Sequence, residues 1–211
     1  MLLLGLLSSP LQFTIYILSL VVALTIHEAA HAYMALLLGD DTPKLMGRLS
    51  LNPLRHLDLL GSVMMLIVGF GWGKPVMVNP AHFENPKLDN LTVSLAGPMS
   101  NFILAAILGL ALRFGHLPFN VQAILAVVIL LNLTLMIFNL LPIPPLDGSK
   151  ILGLFLKDTT YLYFQQMGFY ILLALILFST QIPVISFIMN HVVTFFFSLL
   201  TGQPMSFFFG L

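Results

Sequence analysis

The pentapeptide HEAAH, His27 to His31, is the densest group of ionisable side chains in an otherwise apolar sequence. On a helix, residues four apart lie on one face with Cβ atoms about 5–6 Å apart. His27 and His31 can therefore offer two imidazoles to a single metal ion. Glu28, next to the first histidine, can act on an attacking water without being a ligand itself. By this arrangement a helix holds zinc for peptide hydrolysis. A lone histidine in such a place would read as a packing or proton-relay residue, but three ionisable groups within five residues favour the metal.

A catalytic zinc takes three protein ligands and keeps one position open. The acidic residues outside HEAAH are Asp40, Asp41, Asp58, Glu84, Asp89, Asp147 and Asp158. Asp147 directly follows an apolar run, in the segment LPIPPLDG, where Pro142, Pro144 and Pro145 forbid a continuing helix. Unwound backbone at membrane depth is tolerated only where it lines a protein cavity. With a histidine pair in need of a third ligand, Asp147 is the candidate; a helix-terminating turn with an exposed Asp is the other reading. His56, His82, His116 and His191 read as loop or interface residues rather than ligands.

Asn101 lies in GPMSN, where Gly97 permits close approach and Pro98 suits the first turn of a helix. Facing the metal, Asn101 would hydrogen-bond the substrate carbonyl or its oxyanion. A hydrogen bond between helices is the other role open to it.

The elements that must position these groups follow from composition. The chain has 211 residues, 59% hydrophobic and 8% charged, with a mean hydropathy of +1.03. A soluble domain carries roughly 25% charged residues, so a water-soluble enzyme and a disordered tail are excluded. Eight basic residues balance eight acidic ones, which leaves no basic surface for nucleic acid. The absence of cysteine excludes disulfides and thiolate metal sites. Met1 to Leu7 lacks a basic leader region and its apolar run continues, so the start reads as retained in the mature chain.

A spanning helix needs about 20 apolar residues. Candidate spans are Leu11–Leu38, Leu91–Phe114, Val121–Leu141, Tyr161–Ser179 and Val184–Leu200. Leu59 to Phe70 is too short to span and suits a re-entrant helix or buried strands. We expect an all-α polytopic membrane protein with about five transmembrane helices and a re-entrant, possibly β-strand, region. It forms a single domain over 1–211, with a core over 11–152 and a C-terminal helix pair over 161–200. Gly69 to Val78 (GFGWGKPVMV) could offer a glycine-lined strand edge to an unwound substrate; interface anchoring by Trp72 and Lys74 is the alternative.

If Leu59 to Phe70 is re-entrant, Lys44, Arg48, Arg55, Lys74, Lys87, Lys150 and Lys157 share one side against Arg113 on the other. The positive-inside rule then puts the N-terminus outside and the C-terminus in the cytoplasm.

HEAAH on a first membrane helix, LAGPMSN opening another and NLLPIPPLDGSKIL ending a third together resemble the site-2 proteases, which are intramembrane zinc metalloproteases. GRLSLNPLRHLD and GWGKPVMVNP are similar to the short prokaryotic members, and the likeness covers roughly Leu20 to Leu152. Leu59 in HLDLLG stands where such sequences often have proline. The resemblance implies one Zn2+ held by His27, His31 and Asp147, Glu28 as catalytic acid/base, Asn101 as a second catalytic residue, a transmembrane protein substrate, and residence in a prokaryotic cell membrane. The alternative from the residues alone is a membrane metal transporter or sensor that uses the same His pair.

Overall fold

The expected first span forms helix α1, Pro10–Leu37, in a computed structural model that describes residues 9–68, 71–178 and 184–209. Pro10 starts it, where a missing N–H costs nothing. Gly39 ends it with φ +100, allowing the Asp40 N–H to reach the Ala35 carbonyl at 2.9 Å and the Gly39 N–H to reach that of Leu36 at 3.1 Å. This pairing of crossed bonds closes a helix C-terminus, and here it turns Asp40 inward.

A short helix α2, Thr42–Leu45, and a 3-10 turn, Pro53–Arg55, lead to α3, Leu59–Val68. Leu59–Val68 is thus helical, which corrects the strand reading for these residues; Gly69 and Phe70 lie outside the described residues. The cause is local: the Asp58 carboxylate accepts the Gly61 N–H at 2.8 Å, an N-terminal cap. Among the described residues the β-structure is an isolated bridge between Leu57 and Gly73, beside a bond from the Lys74 N–H to the His56 carbonyl at 2.8 Å.

After a second 3-10 turn, Pro80–His82, come α4, Pro86–Phe114, and α5, Phe119–Asn139. Helix α4 begins earlier than expected because the Asp89 carboxylate accepts the Asn85 N–H at 2.8 Å and anchors its first turn. Pro98 therefore sits in the interior of α4, not at its first turn. It has no N–H for the Ser94 carbonyl, a loss that a membrane helix tolerates when its neighbours support the backbone. The chain continues through α6, Ser149–Phe155, α7, Asp158–Leu177, α8, Val184–Thr201, and α9, Met205–Phe209.

Helices α1, α4 and α5 pack on one another, and α8 closes over α4 and α5. Small residues let the backbones approach: Ala23, Ala32 and Ala35 of α1 are buried, and Gly109 of α4 leaves room for Leu200 of α8. Ala105, Ala126, Ile129, Leu133, Met136, Val193 and Phe197 fill the core between α4, α5 and α8. The outward faces remain apolar, with Leu18, Ile103 and Ile107 all more than half exposed. Helices α1, α4 and α5 are each long and apolar enough to cross a membrane. The chain is an integral membrane protein in a lipid bilayer, with apolar side chains directed both inward and outward.

Candidate metal centre

The HEAAH turn of α1 faces α4 and α5. The Nε2 atoms of His27 and His31 lie 3.1 Å apart, and Oδ2 of Asp147 approaches them at 3.1 and 3.3 Å. Both histidines are buried, 3% and 8% exposed. The three residues singled out as ligands in the sequence are thus brought to one point.

Hydrogen bonding makes both Nδ1 atoms donors. His31 Nδ1 donates to the Val93 carbonyl at 2.7 Å. His27 Nδ1 lies 2.7 Å from Oδ1 of Asn101, whose own Nδ2 donates to the Ala23 carbonyl at 3.0 Å and to Oδ1 of Asn132 at 2.8 Å. With both Nδ1 atoms donating, each imidazole in its neutral form turns an Nε2 lone pair toward Asp147. Oδ2 of Asp147 is buried and has no hydrogen-bond donor among the described residues. Three potential ligand atoms thus converge with no partner among the described residues but one another, an arrangement that a cation satisfies. Tetrahedral zinc at about 2.0–2.1 Å from each ligand separates the ligand atoms by roughly 3.3 Å, close to the spacing found here. The donor set fits zinc.

Two glycines make this geometry possible. A Cβ on Gly97 of α4 would stand 2.4 Å from His31 Nε2 and 2.7 Å from His27 Cε1. Downstream of α5, the Gly148 N–H donates to the Asn139 carbonyl at 2.7 Å, folding the proline-rich turn back onto the helix end. A Cβ on Gly148 would lie 2.2 Å from the Leu140 carbonyl oxygen. Within that turn the Leu146 N–H donates to Ile143 at 2.9 Å and the Lys150 N–H to Asp147 at 3.0 Å, holding the aspartate between the turn and α6.

Glu28 is half-buried beside His27. Asn101 is fully buried, and its amide hydrogen-bonds His27, Ala23 and Asn132. Asn132, also fully buried, was not singled out in the sequence, where an Asn within an apolar span was the available signal.

A second cluster joins Asp40, Asp41 and His82. Fully buried Asp40 accepts from Thr42 Oγ1 at 2.5 Å, the Thr42 N–H at 3.1 Å, His82 Nδ1 at 2.9 Å and the Asn79 N–H at 2.7 Å. Burial acts to raise its pKa, but these hydrogen bonds outweigh burial and hold the carboxyl below the usual carboxylate range. With both oxygens satisfied, Asp40 clips the end of α1 to the 79–82 turn. His56 is also fully buried, with Nε2 donating to the Ser50 carbonyl at 2.6 Å.

Two imidazoles and a carboxylate gathered at one point of a helical membrane bundle, with a glutamate next to the first histidine in sequence, are the groups that a metal-dependent membrane hydrolase uses. The sequence profile of peptidase family M50 matches residues 115–179, a stretch that includes Asp147. The chain is 44% identical over 153 residues to "Putative zinc metalloprotease YwhC" of Bacillus subtilis, covering 68% of this chain and 70% of that protein. It is 32% identical over 177 residues to "Putative zinc metalloprotease Rip2" of Mycolicibacterium smegmatis, covering 78% and 67% respectively. It is 26% identical over 149 residues to "Zinc metalloprotease MJ0392" of Methanocaldococcus jannaschii, covering 71% and 36%. No solved structure matches the chain. The chain belongs to peptidase family M50, the site-2 proteases, and is a zinc metalloprotease of that type.

Proposed function

We propose that the chain is an intramembrane endopeptidase that cuts membrane-spanning protein substrates within or near their spans, as in regulated intramembrane proteolysis. In this reading His27, His31 and Asp147 hold the zinc, and Glu28 is the catalytic acid/base. The observation that carries it is the convergence, within 3.1–3.3 Å, of the two Nε2 atoms and of Asp147 Oδ2, which has no hydrogen-bond partner among the described residues.

Zinc bound there supplies a Lewis acid for the scissile carbonyl and makes the attacking water more acidic. Glu28 accepts a proton from that water and delivers it to the leaving amine nitrogen, so one carboxylate serves as base and then as acid. Asn101 is a positioning residue: its Oδ1 holds the His27 Nδ1 proton and so presents Nε2. Val93 does the same for His31 through its backbone carbonyl.

Around this centre we place five spanning helices, α1, α4, α5, α7 and α8, with α3 re-entrant. Its ten residues cover about 15 Å as a helix, half of a hydrocarbon core. The basic residues other than Arg113 then gather on the cytoplasmic side together with the C-terminus, and the N-terminus lies outside, in a prokaryotic cell membrane.

The deciding experiment is Glu28→Gln, assayed on single-span membrane proteins with and without chelator. The variant should keep its zinc and its fold while cleavage falls by at least about 100-fold, because an amide cannot take the water proton. Cleavage near the parent rate would remove Glu28 from the chemistry.

A further inference from the structure

We propose that Asn132, on α5, sets the tautomer of His27 through Asn101 and is a positioning residue of the metal centre. The inference rests on the reading that His27, His31 and Asp147 hold zinc.

The relay crosses three helices. Asn132 is 0% exposed; its Nδ2 donates to the Val128 carbonyl of its own helix at 2.8 Å, which turns its Oδ1 toward α4. There Oδ1 accepts one hydrogen of Asn101 Nδ2 at 2.8 Å, while the other goes to the Ala23 carbonyl of α1 at 3.0 Å. Both hydrogens of the Asn101 amide are used, and its Oδ1 is left facing His27 Nδ1 at 2.7 Å.

An amide has nearly the same shape after a half-turn that exchanges its oxygen and nitrogen. Such a flip of Asn101 would aim its NH2 at His27 and favour the tautomer with the proton on Nε2. That proton would point at Asp147 Oδ2, 3.1 Å away, making a histidine–carboxylate hydrogen bond in place of a ligand pair. Two acceptors oppose the flip, the Ala23 carbonyl and Asn132 Oδ1, because a flipped Asn101 would set its oxygen against both. The Ala23 carbonyl belongs to the backbone of α1 and is always present. Asn132 is the side chain that α5 adds, and its own orientation is held by Val128. Partners that orient metal ligands typically account for 10–100-fold in metal affinity.

The test uses the full chain purified in detergent. Zinc affinity is measured by competition with a chromophoric chelator, and ligand geometry by the visible absorption of the cobalt-loaded protein. Asn132→Leu removes the acceptor and should weaken zinc binding by roughly 10–100-fold with an altered cobalt spectrum. Asn132→Asp keeps an oxygen for Asn101 and, as a protonated buried carboxyl, a hydroxyl for Val128; it should stay within a few-fold of the parent. If Asn132→Leu aggregates, Asn132→Ala removes the acceptor without adding volume and is judged by the same two measurements. A monodisperse acceptor-less variant with parental affinity and spectrum overturns the proposal, as does Asn132→Asp binding as weakly as Asn132→Leu. His27→Ala is run alongside. Retention of stoichiometric zinc by that variant defeats the metal-site reading itself, whereas zinc loss there with Asn132→Leu unchanged defeats the relay alone.

Discussion

Gly97 passes beneath His31 so closely that a methyl group on it would stand 2.4 Å from the ring Nε2. Neither partner can yield freely: the ring is held by the Val93 carbonyl and the glycine lies within α4. Gly97→Ala should therefore displace the ring and lower zinc affinity by about tenfold or more. Gly153→Ala makes a control, since its Cβ meets the Tyr161 ring at 3.1 Å, away from the histidines. Chelator competition on the two variants reads the difference, and equal affinities would refute the close-approach argument.

Metal analysis of purified protein should find about one zinc per chain, as expected of a site with three protein ligands. His27→Ala, His31→Ala and Asp147→Ala should each deplete it. Full occupancy in the Asp147 variant would take that residue out of the ligand set.

Asp40 predicts an acid-sensitive contribution to stability. Its folded-state pKa lies below the ordinary value of 3.8, so its stabilisation is fully present above that value. It is lost as pH falls from there through the lowered folded-state pKa. Asp40→Asn should cost about 1–3 kcal/mol near neutral pH, because buried donors from Thr42, Asn79 and His82 lose part of their acceptor. In chelator-treated protein, where metal release plays no part, the stability gap between parent and variant should narrow below pH of about 4. A gap that stays constant on acidification would show that the carboxylate charge is not what stabilises the clip.

The membrane topology can be read with single cysteines, since the chain has none of its own. Cysteines near Lys44, Lys87 and Lys157 should react with an impermeant thiol reagent from the cytoplasmic side, and one near His116 from the opposite side. A re-entrant α3 requires positions 44 and 87 to label alike. Opposite labelling of that pair would make α3 a spanning segment and reverse the orientation argument.

His27, His31 and Asp147, which the fold brings to one point, were legible because their signals are local. The i, i+4 histidines share a helix face wherever the helix sits, and the prolines before Asp147 force an unwound turn whatever packs around it. The end of α1 was equally readable at Gly39. Leu59–Val68 was not, since a short apolar run has no periodicity to separate helix from strand; the Asp58 cap decided it. Asn101 could be named from its motif, but its hydrogen-bond partners depended on the rotation of α5 against α4, which alone brings Asn132 to its Nδ2. Pro98 misled because a proline after a glycine looks like a helix start, while the initiating contact lay upstream between Asn85 and Asp89. Ser179 and residues 181–183, where the last two spans were expected to meet, fall outside the described residues.

The distance along the chain between His27 and Asp147 has a consequence for biogenesis. The histidine pair enters the membrane with the first helix, but its carboxylate partner follows only after α4, α5 and the turn beyond them have been made. At about 5–20 residues per second of synthesis, the two histidines precede Asp147 by on the order of ten seconds. If His27, His31 and Asp147 hold the zinc, as proposed, a nascent or prematurely terminated chain has the two histidines and the glutamate without their aspartate and cannot complete the metal site. On that reading, peptide-bond cleavage becomes available only once the turn after α5 has been brought to α1.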